Sequence, residues 1–294
     1  MNARLLAYLP DRPAVARLLD AARPTLIGRA PGCDLHLEHP SVSRRHAELR
    51  CDSGGWRLRD LDSKNGSFLD GRRVEETAIP GHAWLRFGDV LCEFEPLSEI
   101  EAAQAARRQA QRREDSIVFA TRLQAQTAFP DLLQDTLRAV CELADCERGF
   151  LLLAEDGGLR VRATHALDPA RLAGREFSGS IGVVERAIAE RRPVVLNEVG
   201  ADPQFAGRAS VIAGGLQALL CLPLLDGERV LGAVYADSRR PGAAITELDM
   251  ELLQAVCERA ALWIAAHRDA RALANLVAPP RWDDILAAHA GHRG

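Results

Sequence analysis

Three short segments carry the side chains most able to do chemistry: Gly28-Arg29, Ser43-Arg44-Arg45-His46 and Lys64-Asn65-Gly66. They supply guanidinium groups, an ammonium, a hydroxyl and a carboxamide, each beside a turn signal. Together these can hold a tetrahedral dianion. A phosphothreonine side chain brings nearly two negative charges and three strong acceptor oxygens. Arg29 can offer it a bidentate fork, Ser43 a short neutral donor, and Arg44 and Lys64 further positive charge. Asn65 carries both a donor and an acceptor that can fix the peptide beside the phosphate.

The elements that must position these groups are short strands. Trp56-Arg57-Leu58-Arg59 and Leu91-Cys92-Glu93-Phe94-Glu95 alternate with period two. Turn signals separate such runs at Pro31-Gly32, Asp52-Ser53-Gly54-Gly55, Asp70-Gly71 and Pro80-Gly81. That pattern predicts an all-β sandwich with its functional residues on loops.

These residues also stand in an order that resembles a known family. The order is T-L-I-G-R at 25–29, S-x-x-H followed by Ala47-Glu48-Leu49, D-x-x-S-x-N-G-S-F-L-D-G at 60–71, and L-x-x-G-D at 85–89. Residues from about 4 to 98 thereby resemble the forkhead-associated (FHA) domain. The resemblance implies an eleven-stranded β-sandwich that binds phosphothreonine peptides through loops at one end. In it, Arg29 and Ser43 would contact the phosphate, Arg44 and Lys64 would flank it, and Asn65 would bond the peptide backbone. Gly28, His46 and Gly66 would shape the loops without touching ligand.

A chain of 294 residues with 47% hydrophobic content accommodates about two domains. The formal net charge of -4 gives no basic field for nucleic acid. No signal-peptide core follows Met1, and no apolar run is long enough for a membrane span. The seven cysteines show no C-x-x-C and no histidine spacing that would close a zinc tetrahedron. The expectation is a cytoplasmic protein with reduced thiols and no cofactor.

We expect four regions: a phosphopeptide-binding domain over 1–98, a helical linker over 99–115, a mixed α/β domain over 116–268, and a C-terminal helix extension and tail over 269–294. The linker is rich in Ala, Arg, Gln and Glu and lacks Gly and Pro. In the mixed domain, Leu132, Leu133, Leu137, Val140, Cys141 and Ala144 have helical spacing, and Arg148 to Ala154 reads as a buried strand. Strands are further expected over Leu159–Ala163, Gln217–Leu225 and Val230–Asp237, and a helix over Ile181–Glu190. Thr246 and Asp249 mark the cap of a last helix, with Ile245 and Met250 as its staple. A stripe of Leu248, Leu252, Val256, Leu262 and Trp263 is expected to pack on the sheet or on a partner.

This half resembles a GAF domain, through Arg148-Gly149-Phe150-Leu151-Leu152, Pro193-Val194-Val195-Leu196-Asn197, Asp202-Pro203-Gln204-Phe205, Leu222-Pro223-Leu224 and Leu231 to Asp237. That implies a six-stranded antiparallel sheet with helices on one face. A ligand would lie between the sheet and variable loops at about 164–180 and 197–216. The chain lacks the N-K-x-F-D-E signature of cyclic-nucleotide binders, and Cys221 is followed by Leu222 where bilin carriers have histidine. His165 is a loop residue better read as solvated than as a haem ligand. Many domains of this family bind nothing and only dimerise.

No nucleotide-binding, hydrolase, kinase or metalloprotease motif is present. The sequence therefore points to a non-enzymatic adaptor or sensor, an FHA sandwich followed by a GAF domain. Its expected partner is a phosphothreonine-containing protein, a Ser/Thr kinase or its substrate, with a small-molecule ligand or a second copy of the chain at the GAF domain. Other readings are a regulator acting in trans on a nucleotide cyclase, kinase or transcription activator, and a constitutive scaffold. A GAF-fold methionine sulfoxide reductase using Cys141, Cys146 and Cys221 is a further one. In the tail, Trp282, Ile285 and Leu286 could dock on the domain or on a partner.

Overall fold

The computed structural model describes residues 2–107, 110–111, 114, 128–155, 158–168, 178–197, 216–240 and 244–276. The N-terminal half is built of strands β1 (Asn2–Tyr8), β2 (Val15–Leu19), β3 (Thr25–Gly28), β4 (Leu35–His36), β5 (Ala47–Asp52), β6 (Gly55–Asp60), β7 (Ser67–Leu69), β8 (Arg72–Val74), β9 (Glu76–Ala78), β10 (Ala83–Phe87) and β11 (Val90–Leu97). They form a six-stranded sheet in the order β2-β1-β11-β10-β7-β8 and a five-stranded sheet in the order β4-β3-β5-β6-β9. This is the expected sandwich. Alternation decides which side chains enter it: Leu49 and Leu58 face inward as cross-strand partners, whereas Arg50 and Arg57 face out. Trp56 meets Phe94 of the opposite sheet edge-on, ring centroids 5.7 Å apart, in the middle of the core. The turn between β7 and β8 places both Asp70 (φ 46°) and Gly71 (φ 79°) in the left-handed region, as a tight hairpin requires.

Ser98 and Glu101 then open a helical segment over 99–107 with reciprocal side-chain caps of 2.8 and 3.2 Å. Most of the expected spacer beyond it, and 115–127, lies outside the described residues.

The C-terminal half comprises α1 (Phe129–Leu143), β12 (Arg148–Glu155), β13 (Gly158–His165), α2 (Ser178–Glu190), β14 (Val194–Asn197), β15 (Ala218–Asp226), β16 (Arg229–Ser238) and α3 (Glu247–Leu276). Five described strands form an antiparallel sheet in the order β13-β12-β16-β15-β14. Helices cover both faces of it, contrary to the expectation of one. Leu151, Leu153, Leu220, Leu222 and Val234 pack with α1 and α3, while Phe150, Leu219, Cys221, Ala233 and Tyr235 pack with Val183, Val184 and Ala187 of α2. A strand buried on both faces must be apolar throughout, which is why β15 reads as a continuous run.

Thr246 caps α3 as expected. Its N–H and hydroxyl donate to Asp249 Oδ2 at 2.9 and 2.7 Å, and Asp249 N–H donates back at 3.3 Å. The expected packing stripe is met in part, by Val256 and, half-buried, Leu252. Met250, Leu253, Val256, Cys257, Ala260, Ala261 and Ile264 are buried, whereas Leu262 and Trp263 point away from the sheet. The segment Asp202 to Phe205, most of the two variable loops, and Trp282, Ile285 and Leu286 lie outside the described residues.

Leu58 is fully buried between the two sheets. We expect Leu58→Ala to destabilise the N-terminal half by about 2–5 kcal/mol, measured as a lower urea midpoint followed by tryptophan fluorescence. A cost below about 1 kcal/mol would contradict this packing.

Candidate phosphate-binding site

The loop after β3 is zipped to residues 42–44 by main-chain contacts. Arg29 N–H donates to the Ser43 carbonyl at 2.9 Å, Ala30 N–H to the Arg44 carbonyl at 3.1 Å, and the Arg29 guanidinium Nε to the Val42 carbonyl at 3.2 Å. Gly28 permits this approach, because a Cβ there would collide with the Arg44 carbonyl. Arg29 is thus held through Nε with the rest of its fork outward and exposed.

The loop between β6 and β7 is brought alongside by side chains. Lys64 N–H donates to Ser43 Oγ at 3.0 Å, and Asn65 Nδ2 donates to the Ser41 carbonyl at 2.7 Å. Ser43 Oγ therefore acts as acceptor toward the protein and keeps its hydrogen for a ligand oxygen. Ser41, unassigned from sequence, ties in the β10–β11 turn as well, since Asp89 N–H donates to its hydroxyl oxygen at 2.8 Å.

His46 is fully buried at the junction of the two segments. Its Nδ1 accepts from Ser43 N–H at 3.0 Å, and its Nε2 lies 3.1 Å from the Gly66 carbonyl. An acceptor at Nδ1 and a donor at Nε2 define one neutral tautomer. Burial lowers the pKa of the ring, outweighing the opposing pull of the Gly66 carbonyl and Asp60. Gly66 adopts φ 79°, and a Cβ on it would strike the Arg73 guanidinium.

The D-x-x-S-x-N-G-S string is itself a loop-building device. Burial would raise the pKa of Asp60, but bonds from the Ser63 and Ser67 hydroxyls and from Ser63 N–H outweigh it and hold the carboxylate ionised. Ser63 Oγ then accepts from Gly66 N–H at 3.0 Å. Asp60, Ser63 and Ser67 were visible as motif letters, but their shared role needed coordinates. Arg73 had no sequence signal.

The structure thus brings Arg29, Ser43, Arg44, Lys64 and Asn65 to one end of the sandwich, with Gly28, His46 and Gly66 beneath them. Arg29, Arg44, Arg45 and Lys64 are exposed cations, and none is paired with a carboxylate among the described residues. Such a cluster is suited to an anion. No group of residues suited to a metal ion occurs among the described residues. No described helix is long and apolar enough to cross a membrane.

Comparison with known proteins gives two family matches, "FHA domain" over residues 25–91 and "GAF domain" over residues 129–264. The FHA domain-containing protein FhaB of Mycolicibacterium smegmatis is 35% identical over 95 residues, 32% of this chain and 61% of that protein. Human kanadaptin is 48% identical over 60 residues, 17% of this chain and 8% of that protein. The chain therefore spans only part of the length of these relatives. Among solved structures, the FHA domain of the CT664 protein of Chlamydia trachomatis is similar at 23% identity and TM-score 0.31. That match covers 33% of this chain and 100% of that one. The GAF domain of a phosphoenolpyruvate-protein phosphotransferase of Coxiella burnetii is similar at 16% identity and TM-score 0.44, covering 56% and 98% respectively.

Because folded His46 holds its proton more weakly than the unfolded chain does, the unfolded state takes up a proton first as pH falls below about 6.5. The stability is intact above that pH and declines below it until the folded pKa is passed. We expect the urea midpoint of the N-terminal half to fall between about pH 7 and pH 5, and to fall less in His46→Gln. Identical pH dependence in the two proteins would show that the charged ring is accommodated.

Proposed function

We propose, for a chain that carries an FHA domain followed by a GAF domain, a signalling adaptor that recruits a phosphothreonine-bearing protein. The observation that carries this reading is the unneutralised cluster of Arg29, Arg44 and Lys64 around a Ser43 hydroxyl whose hydrogen is left for a ligand. In the bound state the Arg29 fork and Ser43 hydroxyl take phosphate oxygens, Arg44 and Lys64 flank them, and Asn65 exchanges its bond to Ser41 for the peptide backbone. The partner is a Ser/Thr kinase or its substrate. We take the phosphopeptide-binding domain as 1–98, the linker as 99–115 and the second domain as 116–268.

The second domain contributes either small-molecule sensing or pairing of subunits. One observation favours pairing: α3 presents Leu262, Trp263 and Leu273 to solvent, 67%, 41% and 61% exposed. Any control over a cyclase, kinase or transcription activator would then be exerted in trans, by a dimeric adaptor. Sulfoxide reduction is disfavoured, because burial pushes the Cys141 thiol up to about 12 and raises Cys146 and Cys221 as well, leaving little thiolate at neutral pH. Seven free thiols suit a reducing, cytoplasmic setting.

Arg29→Ala should weaken binding of a phosphothreonine peptide library by about 2 kcal/mol, roughly 30-fold, in fluorescence anisotropy. Unphosphorylated peptides should bind neither protein, and unchanged affinity in the variant would remove Arg29 from the site. Leu262→Glu combined with Trp263→Glu should convert a dimer to a monomer in sedimentation velocity, without loss of helicity. A wild-type chain that sediments as a monomer would overturn the pairing.

A further inference from the structure

The loop between β1 and β2 does two jobs at once. On one side it belongs to the phosphate-binding end of the sandwich. Tyr8, at the end of β1, pairs with Leu91 beside the β10–β11 turn that bonds Ser41. Arg12 pairs with Glu38 at 2.7 Å, one residue before His39, whose Nδ1 lies 2.7 Å from Ser41 Oγ. Leu37 N–H donates to the Gly28 carbonyl at 2.9 Å, and His36 Nε2 lies 3.1 Å from the Arg29 carbonyl. The β1–β2 loop is thereby joined to the segment that bears Arg29 and to the one that bears Ser43.

On its other side the same loop is bonded to the GAF domain. Ala14 N–H donates to the Ile245 carbonyl at 2.8 Å, and Glu247 N–H donates to the Ala14 carbonyl at 3.0 Å. Glu247 is the first residue of α3, where a helix leaves its N–H groups without internal acceptors. The FHA backbone supplies one. Ile245 is in turn clasped by Asn197, the last residue of β14, through bonds of 2.8 and 3.1 Å. Asp11 adds an ion pair with Arg186 of α2 at 3.3 Å. Ala14 is entirely buried.

The geometry points to the β1–β2 loop as a strap that lets the GAF domain brace the phosphopeptide site, with Arg186 a positioning residue for phosphopeptide binding. Docking orders Asp11 to Ala14, and through Arg12 and Glu38 this steadies the 36–43 segment in its binding-competent form. Peptide binding and domain docking therefore favour one another, and the coupling is reciprocal. This inference rests on the phosphopeptide reading above, but the docking stands on its own contacts.

The test uses the full chain and changes both sides of the contact, Arg186 in the GAF domain and Ala14 in the strap, leaving Arg29, Ser43, Arg44, Lys64 and Asn65 untouched. Arg186→Glu sets a like charge against Asp11, Arg186→Lys restores the pair, and Ala14→Pro removes the N–H that reaches Ile245. Glu190→Gln breaks the other ion pair of Arg186 and serves as control. Amide hydrogen exchange at Glu247 reads docking without any peptide. We expect faster exchange there in Arg186→Glu and Ala14→Pro, and wild-type exchange in Arg186→Lys and Glu190→Gln. Unchanged exchange in both disrupting variants, with circular dichroism confirming their fold, overturns the strap.

With a phosphothreonine peptide that binds the wild-type chain, Arg186→Glu should bind at least about fivefold more weakly, and Arg186→Lys should recover. Peptide should also slow exchange at Glu247 in the wild type. Equal affinities with no slowing overturn the coupling while leaving the docking in place. A wild-type chain that binds no phosphopeptide overturns both the adaptor reading and the coupling, and the exchange measurement still decides the docking.

Discussion

One neutral imidazole, buried beneath the exposed contacts, ties together the two loops that carry the candidate site. His46 is the residue at which the segment entering β5 and the loop leaving β6 are bonded to a common ring, through Ser43 N–H and the Gly66 carbonyl. A side chain without an acceptor here would leave the Ser43 N–H unsatisfied, a cost on the order of 1–3 kcal/mol, whereas the Gly66 carbonyl also accepts from Gly88 N–H at 3.2 Å. The geometry of Ser43, Lys64 and Asn65 is downstream of that ring. So is the availability of the Ser43 hydroxyl hydrogen, because its oxygen is aligned to accept from Lys64 N–H. The site is thus rigid underneath and charged on top, a division that lets long cationic side chains move without loss of the frame that carries them.

The GAF half is organised differently. Its sheet is covered on both faces, and the two cores are separated only by the thickness of β12, β15 and β16. Phe150 and Tyr235 stack at 4.8 Å on the α2 side, and the Tyr235 hydroxyl donates to the buried Asp237 at 2.7 Å. Asp237 also accepts from Arg148 Nε at 2.6 Å, so a charge on one strand end is neutralised by the adjacent strand. These contacts fix the register of β12 against β16 on the face where α2 lies.

Much of this was legible in the sequence because it is carried by residue type at fixed spacing. Alternation in β6 and β11, the Asp70-Gly71 turn, the Thr246–Asp249 cap and the helical spacing of α1 are local, and each appears where it was expected. The site side chains were legible for the same reason. What sequence misjudged were faces and distances. The expected stripe of α3 divides: Leu252 and Val256 pack on the core, but Leu262 and Trp263 face away, because periodicity reports an apolar face without saying which neighbour it meets, and small residues, Ala260 and Ala261, are buried instead. Helices on both faces could have been inferred from the unbroken apolar run of β15, Leu219 and Cys221 pointing one way and Leu220 and Leu222 the other. The bridge from Ala14 to Ile245 and Glu247 left no trace at all, since it is made of main-chain groups that every residue possesses.

The sequence contains a single lysine, and the fold sets it, exposed, among the loops of the candidate site with its amide nitrogen on Ser43. Apart from the terminal amine, every reagent that seeks a primary amine meets the chain at that one position. Acylating dyes and enzymatic acylation would both convert one member of the exposed cationic cluster from charged to neutral, and a chain immobilised by amine coupling would be attached through the end of the sandwich that carries the cluster.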